Sequence, residues 1–121
     1  MRRPVERLRD ILTAIDAIER YRDRERANFE QDELLQAWFL LHLQIIGEAA
    51  RTLPDDVRAM APDIPWTKMI GMRNILVHGY FNIDRDIVWE AATRDVPALR
   101  KMIEHLVHML EPANSSERRD S

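Results

Sequence analysis

The stretch Met72-Arg73-Asn74-Ile75-Leu76-Val77-His78-Gly79-Tyr80 closes a segment, Pro65 to His78, whose pattern decides the fold. Trp66, Met69, Ile70, Met72, Ile75, Leu76 and Val77 are apolar. Thr67, Gly71, Asn74 and His78 recur at intervals of four, three and four, the period of one helix face. A helix that is apolar on most sides with one polar stripe is expected inside a bundle rather than on its surface. Pro65 suits its first turn and Gly79 its C-terminal cap. The arginine, asparagine, histidine and tyrosine at its end require partners, because such groups are costly to bury unpaired.

On the N-terminal side, Val5, Leu8, Ile11, Leu12, Ile15 and Ile18 recur at helical spacing, with Pro4 near the first turn. The charged run from Arg20 to Arg26 reads as a solvated helix end or loop. A second helix is expected over residues 32 to 53, with Asp32 as its N-cap. Leu35, Trp38, Phe39, Ile45, Ile46, Ala49 and Leu53 give it a broad apolar face, and Gln44, Glu48 and Arg51 a polar one. His42 falls in the apolar row and reads as a packed, hydrogen-bonded residue. Gly47 allows close helix contact, and Glu48 beside it reads as a carboxylate pairing with a nearby arginine. A short helix from Asp55 to near Ala61 leads into the central segment.

On the C-terminal side, Asp84 can cap a helix carrying Ile87, Val88, Trp89 and Ala91. Pro97 is expected to interrupt it, with Asp95 as a fresh cap. The last helix repeats Leu99, Met102, Ile103, Leu106 and Leu110. Residues 112 to 121 are small, polar and charged and read as a disordered tail. No segment alternates with period two. The expected architecture is all-α, an up-and-down bundle of four to five helices in a single domain, residues 1 to 111.

Composition narrows the function. The chain has 121 residues, 45% apolar and 32% charged, with a net charge of −3, so no global basic field advertises nucleic-acid binding. Residues 1 to 26 nevertheless hold eight arginines against six acids, so any anion site must be local. The absence of cysteine excludes disulfides and thiolate metal sites. There is no signal-peptide core and no apolar run of membrane-spanning length, which leads to the expectation of a cytoplasmic protein. Glu104, His105, His108 and Glu111 carry a His pair at i, i+3, but on the solvent side of the last helix. No metal or other cofactor is expected.

Arg73, Asn74, His78 and Tyr80 remain as the candidate constellation. Asn74 and His78 share a face, whereas Arg73 and His78 are i, i+5, about 140° apart on an ideal helix. Either the helix is distorted near Gly79, or a second copy completes the site across a two-fold axis. The second arrangement suits RNA cleavage without a metal. One histidine takes the ribose 2′-OH proton and another protonates the leaving 5′-oxygen, while arginines hold the charged phosphate.

These residues resemble the R-x-x-x-x-H-x-Y motif of HEPN-domain ribonucleases, specifically the HepT-like toxins. Ile45-Ile46-Gly47-Glu48-Ala49, Ile64-Pro65-Trp66, Asp86-Ile87-Val88-Trp89 and Asp95-Val96-Pro97-Ala98-Leu99 resemble the same family. The resemblance implies a helical homodimer and a metal-independent endoribonuclease of a type VII toxin–antitoxin system, acting on tRNA or mRNA. It implies that Arg73 binds the scissile phosphate, His78 is the acid or base, and Asn74 orients phosphate or ribose. It further implies a partner, an MntA-type nucleotidyltransferase antitoxin, that transfers AMP onto Tyr80. Glu48 is a possible support for Arg73. The competing reading is a non-catalytic helical subunit that binds a nucleotide or the surface of a nucleotidyltransferase. A third is a plain helical dimerisation module, in which His78 would be sealed in a core.

Overall fold

The apolar periodicity produces helices throughout. A computed structural model describes residues 3–78 and 85–111. Gly79, Tyr80, Asp84 and the tail, and with them the expectations placed on them, lie outside the described residues. The elements are α1 (Pro4–Glu19), α2 (Arg26–Gln31), α3 (Glu33–Thr52), α4 (Asp55–Ala59), α5 (Trp66–His78), α6 (Arg85–Glu90) and α7 (Val96–Leu110). A π-helical turn, Ala91–Asp95, joins α6 to α7. No strand occurs among the described residues. The expected all-α bundle is therefore present, with α1, α3, α5 and α7 as its long members.

α3 is the central helix. It packs against α1 on one side and α5 on the other, and α7 packs on α1. Leu8, Ile11, Ile15 and Ile18 of α1 meet Phe39, Leu43, Ile46 and Ala50 of α3 in one core that Leu99, Ile103 and Leu106 of α7 complete. Asp32 caps α3 as its sequence suggests, its carboxylate accepting from the N–H groups of Leu34 and Leu35 at 3.0 and 3.1 Å. Trp66 anchors the start of α5. Its indole N–H donates to the carbonyls of Arg58 and Ala61, both at 3.1 Å, tying α4 to α5.

Four points depart from the sequence reading. The charged run is the exposed turn and loop expected of it, but an unexpected short helix, α2, follows, whose Phe29 is buried and stacks on Phe39 with ring centroids 5.6 Å apart. One aromatic residue in a polar stretch gives no period to read. Pro97 does not interrupt the last helical stretch, and Asp95 makes no capping bond. Proline removes one N–H and crowds the preceding turn, and the wider π turn before it accommodates both. Asp95 instead forms an ion pair with Lys68 at 3.2 Å. Ile45 faces outward, 37% exposed, because α1 and α5 both pack on other sides of α3.

The fourth change concerns α5. It is not enclosed: Trp66 and Met69 are buried, while Thr67, Lys68 and Asn74 are exposed and Ile70 and Met72 only half-buried. Among the described residues only α3 packs on it extensively, and Thr67 and Asn74 of its polar stripe lie exposed. A Cβ built at Gly71 meets nothing within 4 Å.

Candidate functional site

The site begins with a glycine. At Gly47 a Cβ would sit 2.2 Å from the Arg73 Cβ and 2.9 Å from the Met69 carbonyl oxygen. No side chain fits there, so α3 and α5 approach backbone to backbone. The next residue on α3, Glu48, is thereby delivered to Arg73 on α5. Their ion pair is 3.0 Å long, from Nε of Arg73 to Oε2 of Glu48.

Arg73 is held a second time. Its Nη1 donates to Oδ1 of Asn74 at 3.1 Å. An ion pair and a hydrogen bond thus hold the guanidinium, and Nη2 takes part in neither contact. The Arg73 side chain keeps 24% of its exposure, so an anion can reach it. A guanidinium fixed in this way binds phosphate with its orientation already set.

Glu48 serves more than one arginine. Arg51, one turn further along α3, donates to it through Nη2 at 2.6 Å and Nε at 3.2 Å. These hydrogen bonds, with the charges of Arg51, Arg73 and Arg7, hold the Glu48 carboxyl below the usual range against a smaller opposing effect of burial. Glu48 is therefore ionised at neutral pH and is a poor proton carrier there.

The α-helix continues without a break to His78, its last residue. Arg73 and His78 consequently remain five positions apart on a regular helix, on directions separated by about 140°. The His78 side chain and Tyr80 lie outside the described residues. The structure thus brings together Arg73, Asn74 and Glu48, with His78 one turn further along α5.

A groove of about 340 Å³ opens at this pair, between α1, α3 and α5. Arg7, Asp10, Gln44, Glu48 and Arg73 supply its polar lining and Leu41 and Ile45 its apolar one. A more apolar groove, also about 340 Å³, runs between α5 and the π turn and includes Met69, Met72 and Met102 but neither Arg73 nor Glu48. Arg51 and Arg7 are the additions to the sequence reading. Arg51 was legible as an i, i+3 partner of Glu48. Arg7 had no signal, since nothing in a sequence places α1 beside α5.

Elsewhere, His42 is half-buried, its Nδ1 2.7 Å from the Trp38 carbonyl oxygen and its ring against Trp38, in keeping with a packed role. His105 and His108 are exposed, and Glu111 is engaged by Arg9 at 2.7 Å. Among the described residues no three His, Asp or Glu side chains converge on one point. No helix among them is long and apolar enough to cross a membrane.

Comparison with known proteins gives the family. Residues 11–106 match the ribonuclease HepT-like family. The chain is 40% identical over 98 residues to "Putative RNase MJ1380" of Methanocaldococcus jannaschii, covering 80% of this chain and 90% of that protein. It is 37% identical over 100 residues to "Probable ribonuclease HepT" of Thermococcus cleftensis, covering 82% and 91%. No solved structure matches significantly. With residues 11–106, most of its length, matched, the chain belongs to the HepT-like ribonuclease family.

Proposed function

We propose that this protein is a metal-independent endoribonuclease toxin in which Arg73 and His78 are the catalytic residues and Asn74 positions the substrate. The observation that supports this most is the guanidinium of Arg73, clamped by Glu48 and Asn74 yet open to the groove, on the helix that ends in His78. In the proposed reaction a histidine takes the proton of a ribose 2′-OH. The 2′-oxygen attacks the neighbouring phosphorus, the bond to the 5′-oxygen breaks, and a second acid protonates that oxygen. The products are a 2′,3′-cyclic phosphate and a 5′-hydroxyl. Arg73 stabilises the negative charge that gathers on the phosphate.

One chain offers one motif histidine, so the scheme uses a homodimer. Two features support it. The helix runs unbroken to His78, five positions after Arg73 and about 140° around an ideal helix, and a second copy can supply the missing group. Leu41 and Ile45 stand exposed beside Glu48, an apolar border for a second chain. Within the same reading, the protein works in the cytoplasm beside an MntA-type nucleotidyltransferase antitoxin of a type VII system. AMP transfer to the Tyr80 hydroxyl would place bulk and negative charge beside the cleft and repel RNA.

Purified protein should cleave single-stranded RNA in EDTA and leave 2′,3′-cyclic ends. His78→Ala should fold and lose this activity. Equal cleavage by wild type and His78→Ala would reject the site, and a wild-type chain without cleavage after removal of any AMP would favour a non-catalytic binding subunit.

A further inference from the structure

Arginines from three helices stand near one carboxylate, Glu48: Arg7 of α1, Arg51 of α3 and Arg73 of α5. Arg51 and Arg73 touch it, at 2.6 and 3.0 Å. Arg7 lines the same groove as Glu48 and Arg73 and makes no ion pair among the described residues. Arg7 and Arg73 line the groove with Asp10 and Glu48, and Arg51 reaches Glu48 from outside that lining. These arginines stand together on a chain whose net charge is −3.

A single catalytic arginine needs one carboxylate to orient it. Arg51 and Arg7 are more than that task requires. Arg51 spends Nε and Nη2 on Glu48 and leaves Nη1 outside that contact. Arg7 is half-buried on the α1 wall and lines the groove beside Arg73. A single RNA strand presents phosphates in series, so a chain held at Arg73 brings neighbouring phosphates past the groove walls.

We infer that Arg7 and Arg51 are RNA-positioning residues that bind the phosphates flanking the scissile one, Arg7 within the groove that Arg73 lines and Arg51 beside Glu48. The inference rests on the ribonuclease reading. Arg7 and Arg51 hold the strand, whereas Arg73 and His78 act on the reacting phosphate.

The test uses the full chain and a short fluorescent oligouridylate with 2′-O-methyl riboses, which lacks the nucleophile and stays intact. Binding is followed by anisotropy at several salt concentrations, and KM and kcat are measured on the cleavable RNA. Arg7→Gln and Arg51→Gln should each weaken binding about three- to tenfold. Each should flatten the dependence of log affinity on log salt by about 0.7. In Arg7→Gln, KM should rise while kcat is little changed. Arg7→Lys should restore most of the affinity, since an ammonium also binds phosphate as a point charge. Wild-type affinity and salt slope in Arg7→Gln, with His78→Ala inactive, would overturn this inference and leave the nuclease reading standing. Equal loss in Arg7→Lys and Arg7→Gln with an unchanged salt slope would mark Arg7 as a packing residue and overturn it too. Absence of cleavage by the wild type would sink the nuclease reading, and this one with it.

Discussion

Glu48 on α3 and Arg73 on α5 form an ion pair 3.0 Å long, and Asn74 accepts from the same guanidinium at 3.1 Å. The family motif contains the arginine and not the carboxylate that orients it. Glu48→Gln keeps the size and can still accept one hydrogen bond, but it loses the charge. We expect kcat to fall about tenfold to a hundredfold, the usual cost of a misplaced catalytic group. Circular dichroism should be unchanged. Full activity in a folded Glu48→Gln protein would remove Glu48 from the site.

Arg73→Lys tests the guanidinium itself. A lysine has no planar fork, so it cannot hold Glu48, Asn74 and a phosphate together. Activity should drop at least about a hundredfold, the loss typical of a removed transition-state donor. Single-turnover cleavage at saturating RNA is the appropriate measurement. A lysine variant with near-normal rate would show that charge alone suffices.

The two helix glycines should behave oppositely. Gly47→Ala puts a methyl 2.2 Å from the Arg73 Cβ, so α3 and α5 must separate. A loss of about 1–3 kcal/mol is expected, as for overpacking. At Gly71 the same methyl enters open space. Gly71→Ala should gain up to about 1 kcal/mol from helix propensity. Urea unfolding of both variants measures the contrast.

The carboxyl of Glu48 also predicts a pH dependence. Hydrogen bonds from Arg51, then the charges of Arg51, Arg73 and Arg7, keep it below its ordinary value of 4.5. A group whose pKa is lowered on folding contributes stability above its unfolded value. That contribution is lost as pH falls through the folded one. The stability difference between wild type and Glu48→Gln should therefore be constant near neutrality and shrink progressively below about pH 4.5. A difference that stays the same from pH 7 to acid would contradict the ionic role.

Phe29 is the anchor of α2, 1% exposed and packed between Phe39 and Trp89 with ring centroids at 5.6 and 5.2 Å. Phe29→Ala should cost about 3–5 kcal/mol, the range for a buried aromatic side chain. Thermal unfolding checks it. A small loss would mean that α2 contributes little to the core.

The sequence by itself determined the four long helices, the cap at Asp32, the motif on α5 and the family. Each depends on neighbours along the chain or on spacing around one helix. Periodicity states which residues share a face, but not which other helix that face meets. For that reason the tertiary structure alone decided that Thr67 and Asn74 of the polar stripe of α5 lie exposed and that Ile45 lies outside the core. It also decided that Pro97 continues a helix through a π turn. It likewise brought Arg7 of α1 toward Glu48, because side chains distant in sequence meet only where backbones can approach. Gly47 supplies that approach for α3 and α5, and the position of Arg73 follows from it.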